Sequence, residues 1–96
     1  MTVDSLDQVA ADIRAANPLV RVCTVQADLA VECCPNRARD LWQRVTQAAG
    51  GPIDVLVLNA GTTSRRLAHT LPLDETARIW AVNVQSAVTL AQVSDF

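Results

Sequence analysis

Apolar residues recur along this chain with two periods, and the change from one to the other outlines its elements. From Ser5 to Ala16 they fall at Leu6, Val9, Ala10, Ile13 and Ala16, with Asp7, Asp12 and Arg14 outside the stripe. That is the spacing of an amphipathic helix. Ser5 with Gln8 forms a capping-box pattern at its start, and Asn17-Pro18 stops it. Leu19 to Ala27 is rich in β-branched residues and predicts a strand that ends at Asp28-Leu29. A loop through Cys33-Cys34-Pro35 leads to a second helix over 36–49, with Ala38, Leu41, Trp42, Val45 and Ala49 as its stripe. Gly50-Gly51-Pro52 terminates it.

The strongest pattern comes next. Ile53 to Leu58 contains five apolar, branched residues in six, the signature of a central parallel strand covered on both faces. It stops at Asn59-Ala60-Gly61, small residues that let the backbone turn and let another group approach it closely. A polar loop from Thr62 to Leu73 follows, carrying Ser64, Arg65, Arg66 and His69. Asp74 is placed to cap a last helix over 75–92 that is apolar over most of its circumference, with Asn83 inside it. The order helix, strand, helix, strand, helix predicts an α/β fold with a parallel sheet, and no internal repeat or domain boundary interrupts it.

Composition narrows the function classes. The 96 residues are half apolar with a net charge of −2, as in a globular chain. All eight basic residues are scattered arginines, and a nucleic-acid surface would need them concentrated on one face. No apolar run is long enough for a membrane span, and the N-terminus lacks the basic start and apolar core of a signal peptide, so a cytoplasmic location is expected. Cys33 and Cys34 are adjacent and Cys23 stands apart, which suggests reduced thiols rather than a disulfide framework. With one histidine, His69, no metal site is expected. His69 and Arg65-Arg66 read as solvated loop residues.

With these residues in place, the chain resembles the short-chain dehydrogenase/reductase family of NAD(P)-dependent oxidoreductases. Asp28-Leu29 is similar to the acidic pair after that family's third strand. Ile53 to Leu58 with Asn59-Ala60-Gly61 looks like its fourth strand and Asn-Asn-Ala-Gly motif, and Asn83-Val84 like its helical Asn-Val. The resemblance covers about residues 4–92. It implies a partial Rossmann-type, doubly wound parallel sheet and a cofactor, NAD or NADP, lying across the carboxyl ends of the strands. It implies that the Asp28 carboxylate accepts a hydrogen bond from an adenine amino group with Leu29 nearby, and that Asn59, Ala60 and Gly61 line the ribose. It implies that Asn83 sits at a helix irregularity and holds a water of a proton relay. Each position keeps a plainer alternative: a turn residue at Asp28, a tight strand-to-loop turn at 59–61, an exposed polar stripe at Asn83.

The departures matter as much. Leu58 stands where the family often has the first Asn of its pair. The glycine-rich phosphate loop is absent, since the only glycines are at 50, 51 and 61. The chain has no tyrosine and no lysine, so the family's Tyr-x-x-x-Lys pair is not among these residues. The chain is therefore expected to be an internal part of such a domain, inactive alone in the interconversion of a small-molecule alcohol and carbonyl. The other expectation is a non-catalytic product that associates with a full-length subunit through its last helix, as a homo-oligomer would. In either case the third and fourth strands are not neighbours in the doubly wound order 3-2-1-4-5-6, which leaves both with unpaired edges.

Overall fold

The computed structural model describes residues 3–94. Four α-helices carry the architecture: α1 (Val3–Ala16), α2 (Pro35–Ala49), α3 (Leu73–Trp80) and α4 (Ser86–Val93). A π-helical turn, Ala81–Gln85, joins α3 to α4 into one continuous rod, and a 3₁₀ turn, Ala68–Thr70, punctuates the loop before it. The expected helices are all present, with starts shifted by two residues or fewer. Helix α1 already runs from Val3, so Ser5 lies inside it rather than at its cap, and the Gln8 amide donates to Asp12 Oδ1 at 2.9 Å. Asp74 likewise lies within the first turn of α3, behind Pro72, and makes no capping bond.

The expected parallel sheet is not formed. Among the described residues there is no strand: 19–28 makes backbone bonds only to the turns at its two ends, and 53–61 makes none. A strand exists only as a relation to a neighbour, and the third and fourth strands of a doubly wound sheet are separated by two others. Their apolar composition therefore cannot produce a ladder between them. The partial Rossmann sheet is thus corrected to a helical arrangement with two unpaired irregular segments. Arginines take part of the ladder's place along the first segment. Arg14 of α1 donates to Val22 O at 2.8 Å, and Arg44 of α2 donates to Gln26 O at 3.3 Å.

The core is correspondingly thin. Helix α2 packs against α4, and apart from Leu41 the buried residues among those described are small: Ala38 beside Leu41 on α2, Ser86 and Thr89 on α4, with Ala10 and Ala81 elsewhere. Leu19, Val55, Val57, Leu73 and Trp80 are all more than 60% exposed. The accessible surface is 7142 Å² for 10.3 kDa, against about 5,400 Å² for a compact monomer of that mass. The radius of gyration, 15.3 Å, also exceeds the roughly 12–13 Å of a compact chain of this length. Much of the surface that a sheet would cover remains in water.

The best-built local feature is the end of α2. Gly50 adopts a left-handed conformation at φ 79°, and its N–H bonds Gln47 O at 3.2 Å while Gly51 N–H bonds Thr46 O at 3.2 Å. The Arg21 guanidinium then covers the last two carbonyls, Ala48 O at 3.3 Å and Ala49 O at 3.4 Å. Every terminal acceptor of the helix has a donor, and the positive charge sits at the negative end of the helix dipole. Gly50→Ala should cost about 1–2 kcal/mol, because an alanine there is strained by its φ. Its new Cβ would also stand 3.2 Å from Arg21 Nη1. Chemical denaturation of the two proteins checks this.

Candidate functional site

The turn that follows the first irregular segment displays Asp28. Its backbone carbonyl accepts from Val31 N–H at 3.0 Å and Glu32 N–H at 2.9 Å, and its side-chain Oδ1 accepts from Ala30 N–H at 3.0 Å. Such a side-chain-to-backbone bond two residues on is how Asp closes a turn onto itself. Arg44 stiffens the same turn from α2 by pairing with Glu32 as well as with Gln26 O. The other carboxylate oxygen, Oδ2, faces Arg78 Nη1 of α3 at 3.8 Å. Both side chains are half exposed, so this ion pair orients Asp28 more than it stabilises the fold.

Asn83 organises the opposite wall. It lies within the π-helical turn, whose extra residue is marked by Ser86 N–H bonding Ala81 O. That widened turn re-aims side chains, and π turns of this kind are frequent at functional sites. The Asn83 amide clamps the Thr62 backbone with two bonds: Oδ1 accepts Thr62 N–H at 2.7 Å and Nδ2 donates to Thr62 O at 2.8 Å. A loop with no regular hydrogen bonding of its own is thereby pinned to the helix rod 21 residues away. The carboxamide has the one donor and one acceptor this needs.

The two walls meet across an open cleft of about 850 Å³. Asp28 and Leu29 stand on one side and Ala60, Gly61 and Thr62 on the other. Four of the expected site residues thus share one cavity. Asn59 does not line it, and Asn83 acts on it from behind, through Thr62. No turn is formed at 59–61, and of the glycines only Gly50 has a positive φ. A Cβ added to Gly61 would lie 3.7 Å from Asn83 Oδ1, an ordinary contact. In this structure, then, neither backbone conformation nor the packing of the chain on itself demands glycine at 61.

Sequence reasoning did not anticipate Arg78, Arg37 or Thr62, all of which line the cleft. Arg78 carried a usable signal. It precedes Val82, another lining residue, by one helical turn, so both occupy the same face as the wall they form. Among the described residues no group of three or more histidines, cysteines, aspartates or glutamates is placed to hold a metal ion, and no helix is long and apolar enough to cross a membrane. The cysteines are unpaired as thiols, with Cys33 Sγ directed at Ala30 O at 3.6 Å.

A family model described as short chain dehydrogenase matches residues 1–94. No curated protein and no solved structure matches the chain.

Proposed function

Because the chain belongs to the short chain dehydrogenase family, we propose that its cleft is the adenosine end of an NAD or NADP site in an oxidoreductase that interconverts an alcohol and a carbonyl. The observation that carries this reading is the meeting of Asp28-Leu29 with Ala60-Gly61-Thr62 across one cavity. Its volume lies within the range of small-molecule and cofactor sites. Asp28 keeps Oδ2 available beside the exposed Arg78, so an adenine amino group has an acceptor held in place by the Ala30 N–H bond. Leu29 supplies apolar surface next to it, and the exposed backbone of 59–61 offers the ribose donors and acceptors that no other group among the described residues uses.

The fit stops at the adenosine. No glycine-rich loop at a helix N-terminus is present among these 96 residues to cradle a pyrophosphate. A bound nicotinamide supplies or accepts hydride, but with no tyrosine and no lysine this chain offers no counterpart of the family's proton donor. In this reading the 96 residues form the middle of a nucleotide-binding domain and do not turn over substrate alone. Asn83 positions the 59–62 loop and, in the complete site, holds the relay water.

A second reading is a non-catalytic product that docks on a full-length subunit. The observation favouring it is the bare stripe of Trp80, Val84 and Val88 along the last rod, each exposed.

Titration with adenosine monophosphate, read by amide chemical shifts, tests the first reading. Shifts should concentrate at Asp28, Leu29 and 60–62, and Asp28→Ala should weaken binding about tenfold, the worth of one charge-assisted hydrogen bond. Shifts confined to other surfaces, or affinity unchanged by Asp28→Ala, would sink the assignment. Nicotinamide-dependent turnover by the chain alone would disprove the expected inactivity.

A further inference from the structure

Two adjacent cysteines sit at the end of the turn that displays Asp28, a turn whose Asp28, Leu29, Val31 and Glu32 all line the cleft. Cys33 is half-buried, with its Sγ directed at Ala30 O at 3.6 Å, and Cys34 is exposed. On one side of the pair the turn closes on Asp28, whose carbonyl accepts from Val31 and Glu32 N–H. On the other side α2 begins: the Cys34 carbonyl accepts from Ala38 N–H at 2.9 Å, the first bond of the helix. The Cys33–Cys34 peptide is therefore the joint between two hydrogen-bonded units. Pro35 follows and holds Cys34 extended, at φ −79° and ψ 152°. These relations lie within residues 28–38 and need no other part of a fold to make them.

We propose that Cys33 and Cys34 are a redox latch on the cleft wall: a low-molecular-weight disulfide oxidises them to a disulfide with each other, which pulls the Asp28 turn out of shape. The exposed Cys34 thiolate attacks the oxidant, forming a mixed disulfide and releasing one thiolate. The Cys33 thiolate then attacks the Cys34 sulfur, closing the Cys33–Cys34 bond and releasing the second. The two protons of the cysteine thiols pass to the released thiolates, so the pair loses two electrons and the oxidant becomes two thiols. Adjacent Cα atoms are about 3.8 Å apart, short of the roughly 4.4–6.8 Å usual for a disulfide, so the ring is strained. A strained disulfide is easily reduced, which makes the change reversible and suits thiols that are otherwise kept reduced. Closing the ring takes Cys33 Sγ away from Ala30 O and rotates the peptide joint. Because Pro35 restrains Cys34, the adjustment falls on Cys33 and the turn behind it. The bond from Ala30 N–H to Asp28 Oδ1 lies in that turn, so the carboxylate loses its fixed position. The consequence for nucleotide binding rests on the adenosine reading of the cleft; the disulfide and the distortion of the turn do not.

Oxidation of the chain with glutathione disulfide, followed by alkylation, proteolysis and mass spectrometry, tests the latch. The peptide holding Cys33 and Cys34 should be unalkylated and lighter by two hydrogens, with Cys23 outside the bridge, and excess glutathione should reverse the change. Amide chemical shifts should move across 28–34 on oxidation and return on reduction. Cys34→Ser should abolish both effects, and since serine is a favoured cap at that position, α2 should keep its start. Adenosine monophosphate should bind the oxidised chain about tenfold more weakly than the reduced one, matching the loss of the Asp28 hydrogen bond. A glutathione adduct that stops at Cys34, a bridge to Cys23, or a Cys33–Cys34 disulfide that leaves the 28–32 amides unmoved overturns the proposal. Equal nucleotide binding by the two forms overturns it as well. Failure of the reduced chain to bind the nucleotide overturns the adenosine reading alone, and the mass and shift criteria then decide the latch.

Discussion

Leu41→Ala is expected to unfold most of the chain at 25 °C. Leu41 is 5% exposed and is the largest residue of the buried set, in which its companions are alanines, Ser86 and Thr89. Removing its side chain costs lost burial plus the cavity left behind, about 2–5 kcal/mol in well-packed cores. A compact domain of this length holds a reserve of roughly 5–14 kcal/mol. This one buries less surface than its mass allows, so its reserve lies at or below the low end. The substitution also opens the face where α2 meets α4, the contact that joins the two ends of the molecule. Circular dichroism at 222 nm should show most helical signal lost, or a melting transition moved down by many degrees. Val57→Ala provides the contrast: at 77% exposure it should change stability by no more than about 0.5 kcal/mol. If Leu41→Ala melts like the parent chain, the α2–α4 contact does not hold the fold.

Asn83→Ala should release the cleft wall while leaving the rod helical. The substitution removes both bonds to Thr62 at once, worth about 0.5–1.5 kcal/mol each. Alanine is the better helix former, so part of that loss is returned within the helix itself. The local effect should therefore exceed the global one. Hydrogen exchange at the Thr62 amide should accelerate by about tenfold or more, with little change in the amides of α2. Asn83→Asp separates the two bonds. A carboxylate still accepts Thr62 N–H but sets a second oxygen against Thr62 O, so it should protect the amide only in part. Adenosine monophosphate should bind Asn83→Ala more weakly than the parent, because 60–62 must then be ordered on binding. Unchanged exchange at Thr62 would show that the loop is held by something other than this amide.

The helices were legible because their signals are local. The stripe Leu6, Val9, Ala10, Ile13, the proline after Asn17 and the glycine pair after Ala49 each act within a few residues. Helix α2 needs nothing distant to define its end, apart from the arginine that reaches it from residue 21. The strands were misjudged for the opposite reason. Ile53 to Leu58 has every local mark of a buried strand, but β structure is completed by hydrogen bonds from another backbone, and among the described residues no backbone bonds to it. The all-apolar last helix was also only half explained: Ser86 and Thr89 are buried, while Trp80, Val84 and Val88 face water.

At the cleft, residue types were legible and relations were not. Asp28, Leu29, Ala60 and Gly61 could be singled out as residues following strand-like segments, and the family's order joined them to Asn83. That Asn83 grips Thr62 by both ends of its amide, and that Arg78 faces Asp28, are distances across 21 and 50 positions of chain. No periodicity carries such information.

The sequence by itself determined where this chain is helical, which of its segments are strand-like, its membership of the short chain dehydrogenase family, and the absence of tyrosine, lysine and a phosphate-binding glycine loop. These follow from residue identity and short-range spacing. Only the tertiary structure decided that the strand-like segments stay unpaired, that the buried core is a small contact between α2 and α4, and that a π turn aims Asn83 at Thr62 to make one wall of a cleft whose other wall is Asp28. Those outcomes depend on which groups find partners across space, and hydrogen bonds and burial are stabilising only where the partner is there to complete them.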